Sequence, residues 1–389
     1  MKFFALMLAP LCMTTCVFVF AGVLDPMAVD LGVSVGVAGQ LQSIFTIACA
    51  IFGPILAILT GRQRRKALLA TTLIAMAILN AASALISDFT SLAVIRFITG
   101  AVGSMALPMA STIAIILVGP ERRARALALV YAGVSLAFMT GIPLGSVVGE
   151  AFGWQASFWL AAGLCAFGFV MVLGFVPQVE TPPAPPKGAF AAVLRWPTTG
   201  YLLVTLCAFA AIFAAIGYIG PVVTQLTGLT GQGVGAIQML SGVGSFLGLT
   251  LGARLVESKA KAPLIYLFAT IFVAQGVFAY ALIAQLSGKA GLMAVIAAML
   301  VGSTSLFGTA PIVQTRMADA AGQAATLAFA LNGSMVYLGQ GVGVMLGGMV
   351  LAAYGLEYVS TAGMVLAGLG VLLALALRVS RSRQDLVAS

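Results

Sequence analysis

The chain has 389 residues, of which 61% are hydrophobic and only 7% are charged, whereas about 25% of the residues in a soluble domain are charged. Too few polar side chains remain to cover a water-exposed surface, which excludes an ordinary soluble enzyme or binding domain. The net charge of +9 does not indicate a nucleic-acid partner, because the basic residues lie in short segments between apolar runs.

Apolar runs recur along the whole chain. A helix needs about 20 apolar residues to cross a hydrocarbon core of about 30 Å. The length of the first run, and the eleven runs that follow it, favour a retained helix over a signal peptide. We predict an all-α integral membrane protein with twelve transmembrane helices, at residues 4–24, 37–60, 67–86, 91–117, 126–149, 156–176, 199–226, 232–253, 263–285, 290–313, 324–350 and 358–378.

A proline-rich segment separates two sets of six helices. Residues 177–197 contain six of the fifteen prolines, a composition typical of a stiff, non-helical linker. We therefore predict an N-terminal six-helix bundle at 1–176, a cytoplasmic linker at 177–198, and a C-terminal six-helix bundle with a short tail at 199–389.

The basic residues predict the orientation in the membrane. With twelve spans, all lysines and arginines except Arg96 and Lys289 lie on the side that holds both termini. Because basic residues concentrate in cytoplasmic loops, we predict a multi-pass protein of the cell (inner or plasma) membrane with both termini in the cytoplasm.

The two halves show traces of an internal repeat. Leu144-Gly145 and Phe152-Gly153 recur as Leu346-Gly347 and Tyr354-Gly355, a constant offset of about 200 positions. Together with the central linker, these matches predict two pseudo-symmetric bundles, the construction of many secondary transporters.

Three spans carry a glycine at every fourth position, so that one helix face lacks side chains. We consider two interpretations, namely static helix packing and smooth surfaces along which the two halves move. Pro143 lies in the sequence between the first two glycines of the first set. The glycines are Gly141, Gly145 and Gly149, then Gly244, Gly248 and Gly252, and finally Gly339, Gly343 and Gly347.

Three local motifs carry a family resemblance. A basic loop with Arg62, Arg64 and Arg65 follows the second span, the fourth span contains Arg96-Phe97-Ile98-Thr99-Gly100, and the fifth contains Gly141-Ile142-Pro143-Leu144-Gly145. Over essentially its whole length the chain resembles the major facilitator superfamily, nearest to its twelve-span drug and sugar:proton antiporter branch. This resemblance implies a monomer that exposes a central cavity alternately to each side and exports a small molecule in exchange for protons.

The chain departs from the family pattern in two places. Gly61 replaces the acidic residue of the basic-loop motif, which predicts a weaker charge lock there. The first span lacks the carboxylate that many relatives carry near the position of Val17. Both departures make proton coupling less secure than the resemblance implies.

Asp25 and Arg96 are the candidates for proton coupling, because charged groups inside a bilayer are costly and usually functional. Both lie near the outer ends of their spans, so we consider Asp25 as a proton carrier whose titration responds to a nearby Arg96. The alternatives are a solvated Asp-Pro helix end and an arginine that reaches outward or hydrogen-bonds helix backbone. The outer-loop acids Asp30, Asp88, Glu150 and Glu357 are expected to be solvated.

Polar and aromatic residues within the spans are the candidates for substrate binding, since an unpaired polar group in hydrocarbon tends to face protein or water. Helix packing is the alternative for each. A mostly apolar site with few charges suits a small neutral or cationic amphiphile, such as a drug, sugar or nucleoside, in contact with membrane lipid. The candidates are Thr14, Thr15, Phe18, Phe213, Tyr218, Gln238, Phe307, Asn332 and Gln340.

Several functional classes find no support in the sequence. The chain lacks histidine and a GxxxxGK[ST] loop, and it offers no nucleophile with a nearby base, so we expect no enzyme activity, no metal and no cofactor. A membrane-embedded enzyme or a channel is a weaker hypothesis than a transporter, because a channel predicts rings of like groups and no two-half repeat. An uptake permease and an uncoupled facilitator of the same fold remain open alternatives.

Overall fold

A computed structural model describes residues 1–60, 63–118, 123–179, 193–258 and 260–388. Within these ranges the chain is almost entirely helical and contains no β-strand. Arg62 of the basic-loop motif and residues 180–192 of the predicted linker lie outside them.

Nine α-helices lie in the described residues of the first half of the chain. They are α1 (Lys2–Phe18), α2 (Leu24–Asp30), α3 (Val35–Leu59), α4 (Arg65–Ala84), α5 (Phe89–Gly103), α6 (Ala106–Val118), α7 (Arg123–Leu136), α8 (Ile142–Phe152) and α9 (Trp154–Phe175).

Among the residues described after the linker there are seven more α-helices. They are α10 (Thr198–Ile216), α11 (Ile219–Thr227), α12 (Gly231–Glu257), α13 (Pro263–Ile283), α14 (Gly288–Ala321), α15 (Ala325–Tyr354) and α16 (Val359–Ala388).

Twelve helical segments of the described chain are long and apolar enough to cross a membrane. The pairs α1–α2, α5–α6 and α7–α8 each form one span with an interruption. The all-α, twelve-span architecture predicted from the sequence is therefore confirmed.

Prolines account for the interruptions within the spans. Proline has no amide hydrogen, and its ring clashes with the carbonyl four residues earlier. Helices α1–α2, α5–α6 and α10–α11 break shortly before Pro26, Pro108 and Pro221, and a π-helical turn, Ala137–Gly141, precedes Pro143. Each break therefore coincides with the carbonyl that the following proline leaves without a donor.

The helices cluster into two compact units. The first comprises Met1–Ala184 together with Tyr218–Thr224 and Gly228–Gly242, and the second comprises Pro185–Gly217, Gln225–Thr227 and Val243–Ser389. The sequence-based division at residues 177–198 assigns all residues after the linker to the second half. In the structure, two segments that follow the linker instead pack with the helices that precede it.

Equivalent polar contacts occur inside the two units. In the first, the Asn80 amide nitrogen donates to the Cys16 thiol at 3.3 Å, and in the second, the Gln275 amide nitrogen donates to the Ala211 carbonyl at 2.8 Å. Both pairs join equivalent helices, α4 to α1 and α13 to α10. These two contacts agree with the repeat predicted from the Leu-Gly and aromatic-Gly matches.

The glycine faces allow helix backbones to meet directly. A methyl group on Gly145 would overlap the Val19 carbonyl beyond the end of α1, and one on Gly343 would overlap the Ala210 carbonyl of α10. Gly248 of α12 approaches the Thr304 carbonyl of α14 in the same way. Close approach is the physical reason for glycine at these positions.

These contacts bear on the two interpretations of the glycine faces. Each of the three approaches joins helices of one and the same unit. They correspond to interhelical packing, and they do not support the interpretation of the faces as surfaces along which the halves move.

We expect Gly343→Ala to destabilise the protein by about 1–3 kcal/mol, because the new methyl group must push α15 away from the α10 backbone. The matched control is Gly368→Ala, which places a methyl group in open space on α16. Thermal unfolding of the purified protein in detergent measures both. An equal midpoint for the two variants would contradict the close packing described above.

Candidate functional site

One face of α10 carries a polar and aromatic row. Thr205, Phe209 and Phe213 follow one another at intervals of four residues and so share one side of the helix. The Phe209 ring stacks on Phe213 with centroids 6.1 Å apart, and it meets the edge of Phe307 from α14 at 6.2 Å. The second unit therefore contains an aromatic cluster built from two predicted candidates and one unpredicted ring.

Asn332 of α15 lies at the other end of this row. Its side-chain oxygen accepts a hydrogen bond from the Thr205 hydroxyl at 2.7 Å. Asn332 is half-buried within a membrane span, where a polar group tends to face protein or water. The bond to Thr205 uses the amide oxygen, so the amide nitrogen remains as the donor for water or a ligand. We call Thr205, Phe209, Phe307 and Asn332 the amide–aromatic wall.

Gln340 lies two helical turns beyond Asn332 on α15. It is 6% exposed, and its side-chain oxygen has no hydrogen-bond partner among the described residues. Burying an acceptor without a donor costs free energy. The Gln340 oxygen is therefore available to accept a hydrogen bond from water or a substrate.

Three predicted candidates in the first unit are buried in helix packing. Thr15 is fully buried, and its side chain lies against Gly141. Phe18 packs its ring against Phe138 at 5.7 Å, and Thr14 is 9% exposed. The structure does not bring these residues together with the amide–aromatic wall in one unit.

Tyr218 and Gln238 are engaged with helices of the first half. The Tyr218 hydroxyl donates to the Gly36 carbonyl and accepts from the Gln40 amide, each at 3.3 Å. The Gln238 side-chain oxygen accepts from the Ser146 hydroxyl at 2.8 Å. In this structure Tyr218 and Gln238 therefore make helix–helix contacts, which correspond to the packing alternative considered for each candidate. The prediction from the sequence was substrate binding.

Arg96 is completely buried on α5. One guanidinium nitrogen donates to the carbonyls of Cys16 and Val17, at 2.7 and 3.4 Å. These belong to the last turn of α1, where carbonyls lack intrahelical donors and the helix dipole is negative. Of the alternatives weighed for Arg96, the hydrogen bond to helix backbone is the one observed.

Aromatic rings surround the Arg96 guanidinium. Its central carbon lies 4.3 Å from the ring centroid of Phe45, 5.3 Å from that of Phe20 and 5.6 Å from that of Phe158. Such cation–π contacts stabilise a cation away from water. The cage and the two carbonyls together hold Arg96 in place beside the break between α1 and α2.

Asp25 lies apart from this cage. It is half-buried in the first turn of α2. No ion pair joins it to Arg96, whose polar contacts in the described chain are the α1 carbonyls. The structure therefore does not bring the two coupling candidates together as the sequence-based hypothesis required.

The described part of the basic-loop motif anchors helix ends. Arg64 is the residue before α4, and the Arg65 guanidinium donates to the Met109 sulfur at 3.7 Å. The neighbouring Lys66 ammonium donates to the Leu173 carbonyl near the end of α9 at 2.9 Å, a favourable position for a cation.

Comparison with known proteins decides the family. The model of the Major Facilitator Superfamily matches residues 6–343. The chain belongs to this superfamily. It is accordingly a multi-pass membrane transporter of small molecules and not an enzyme.

Two relatives within the superfamily share 27–32% of their aligned residues with this chain and match about two thirds of it or more. The inner membrane transport protein YdhP of Escherichia coli (strain K12) is 27% identical over 90% of this chain and 89% of its own length. A chloramphenicol resistance protein of Streptomyces lividans is 32% identical over 66% of this chain and 67% of its own length. The crystal structure of a bacterial homologue of the human lysosomal transporter Spinster superposes with a TM-score of 0.81 at 16% identity, covering 97% of this chain and 96% of that one.

Sequence reasoning missed Thr205 and Phe209, although a signal was present. Both lie four-residue steps before the predicted candidate Phe213, so extending that helix face would have found them. The Ser146 contact with Gln238 joins residues 92 positions apart, and no local pattern marks it.

We expect Arg96→Ala to lower the free energy of unfolding by about 3 kcal/mol, since it leaves a cavity among three rings and removes the donor for two carbonyls. Asp25→Asn should change it by only about 0.5 kcal/mol, because Asp25 lies outside that network. Thermal unfolding in detergent distinguishes the two. Equal losses of unfolding free energy for both variants would contradict the separation of Asp25 from the Arg96 network.

Proposed function

We propose that this superfamily member exports a small neutral or weakly cationic amphiphile by alternating access, in exchange for protons. The observation that carries the substrate class is the amide–aromatic wall. Its partly exposed Phe307 ring, packed on the buried Phe209, offers apolar contact, the Asn332 amide offers a hydrogen-bond donor, and none of its side chains is charged. Such a surface suits a neutral molecule with an aromatic face and an acceptor group.

The relatives are consistent with export. The name of the Streptomyces lividans relative refers to chloramphenicol resistance, which supports a drug-like compound as cargo here. With the basic residues of the chain on the side of the termini, we place both termini in the cytoplasm of a cell whose inner membrane holds the protein, in contact with lipid. The glycine faces are occupied within the units, which supports function as a monomer.

Asp25 remains the proposed proton carrier. It is a half-buried carboxylate in a membrane span, and such groups are usually functional. The lack of an Asp25–Arg96 ion pair gives specific support to a second candidate function, an uncoupled facilitator or uptake permease. In the coupled mechanism, Asp25 titrates on its own as water reaches it from one side and then from the other.

For Asp25→Asn we expect substrate-driven proton movement to fall to the background of empty vesicles, because the amide cannot carry a proton. The assay uses proteoliposomes with an internal pH-sensitive dye and a panel of chloramphenicol, cationic dyes, sugars and nucleosides. The control is Asp88→Asn, which removes a carboxylate at the start of α5 and supplies another good capping residue. Proton movement that survives Asp25→Asn would rule out Asp25 as the carrier.

For Asn332→Leu we expect about tenfold weaker binding of the transported compound, since a ligand hydrogen bond contributes about 1.5 kcal/mol. The control is Thr250→Val, because Thr250 is exposed and its hydroxyl bonds only its own helix at Phe246. Equilibrium binding to purified protein in detergent gives the affinity. Unchanged affinity for Asn332→Leu would remove the wall from the substrate site.

A further inference from the structure

Helix α8 and the first half of α12 meet through polar contacts within the first unit. The Gln232 amide of α12 donates to the Glu150 carboxylate at 3.1 Å, and the Ser146 hydroxyl donates to Gln238 at 2.8 Å. Further along, Gly242 lies directly against Met139. Two residues of α8, and Met139 of the π-helical turn before it, thus contact the first half of α12.

Glu150 acts as a cap for a helix that is distant in sequence. The first amides of α12 have no intrahelical acceptor, and a carboxylate at a helix N-terminus is favoured by the helix dipole as well. Gly231 lies so close to the Glu150 carboxylate that any side chain there would overlap it. Glu150 is exposed to solvent at the end of α8, and its carboxylate also accepts this bond across 82 positions of sequence.

Tyr218 forms a second tie between the same parts of the chain. It lies in the break between α10 and α11, is fully buried, and bonds Gly36 and Gln40 of α3. Its ring packs on Gly39, where a side chain would displace it. A segment that follows the linker is therefore held against the start of the second span.

These contacts share one end of the membrane spans. Counting spans from Met1, the end of α8, the start of α12 and the start of α3 all lie at the membrane face opposite the N-terminus, which we call the distal face. In alternating access the parts of the two repeats must separate at one face while they approach at the other. The contacts at the distal face must therefore break once in every cycle.

We propose that Glu150, Ser146, Gln238 and Tyr218 form a distal latch, and that the Glu150 cap is the positioning contact which sets how often the distal face opens. The inference rests on alternating access, which is part of the proposed function, but not on proton exchange or on any particular substrate. Within the repeat, the position equivalent to Glu150 is Ala352. Only one of the two equivalent helix ends therefore carries a capping carboxylate.

Removal of the cap shifts the population toward the distal-open state, because it weakens a contact that exists in one state alone. Opening at the distal face exposes the amides of residues 218–242 to solvent. Since alternating access closes the other face at the same time, the amides near the end of α12, at residues 252–257, become better protected. Simple loss of packing would instead increase exchange at both ends.

Hydrogen–deuterium exchange of the full-length protein in lipid nanodiscs, without any substrate, tests the latch. For Glu150→Ala we expect about five- to tenfold faster exchange in peptides covering 218–242, from the loss of a charge-assisted hydrogen bond, with slower exchange at 252–257. Glu150→Gln, which keeps an acceptor oxygen, should show a smaller effect. The control is Glu357→Gln, which removes a carboxylate at the same face outside the latch.

A second pair of variants tests the same contact line without changing a charge. Gly242→Ala forces a methyl group against Met139, whereas Gly368→Ala points into open space. We expect Gly242→Ala to show faster exchange at 218–242 and slower exchange at 252–257, as for Glu150→Ala. Gly368→Ala should leave exchange as in the native protein. Unchanged exchange at 218–242 in both Glu150→Ala and Gly242→Ala, or faster exchange at both faces, would overturn the latch. Because no cargo is present, either result is independent of whether the proposed substrate class is right.

Discussion

A carbonyl group inside a bilayer needs a donor from the protein, because the hydrocarbon core contains no water to replace one. Prolines in the spans create such carbonyls. The helix is interrupted before Pro26, Pro108, Pro143 and Pro221, whereas Pro10, Pro54 and Pro311 lie within continuous helices. The break after α1 is the most consequential, since Arg96 reaches across from α5 to bond the carbonyls of Cys16 and Val17. This interaction supplies a donor to carbonyls at the end of α1, just before the break that Pro26 accounts for and before α2 with Asp25.

The same requirement explains the surroundings of Arg96. A buried cation without a carboxylate needs other sources of negative potential, and here the end of a helix dipole and the faces of three rings supply it. One nitrogen, Nη2, bonds the α1 carbonyls, whereas Nε and Nη1 have no hydrogen-bond partner among the described residues. Asp25 lies outside these contacts.

The sequence predicted the parts of the structure that depend on local patterns. Apolar runs of sufficient length predicted twelve spans, and glycines at every fourth position predicted close helix approach, because each is a property of neighbouring residues. It did not predict which helix each face meets, since the approach of Gly343 to Ala210 joins residues far apart in the chain. The Thr205–Asn332 bond and the Glu150 cap were missed for the same reason. Asp25 and Arg96 were judged to lie at similar depth, but depth alone does not show which direction a side chain takes from its helix.

The distribution of charge between the units constrains any coupled mechanism. The amide–aromatic wall belongs to the second unit and is uncharged, whereas Asp25 and Arg96 belong to the first. A proton on Asp25 therefore does not displace a cargo at the wall by direct competition for one group. A proton drives transport only if its binding free energy differs between the two states of the protein. In the coupled mechanism proposed above, such a difference is expressed through contacts that distinguish those states, and the proposed latch between α8 and α12 is a contact of that kind. In that mechanism, protonation of Asp25 and closure of the distal face shift the same equilibrium.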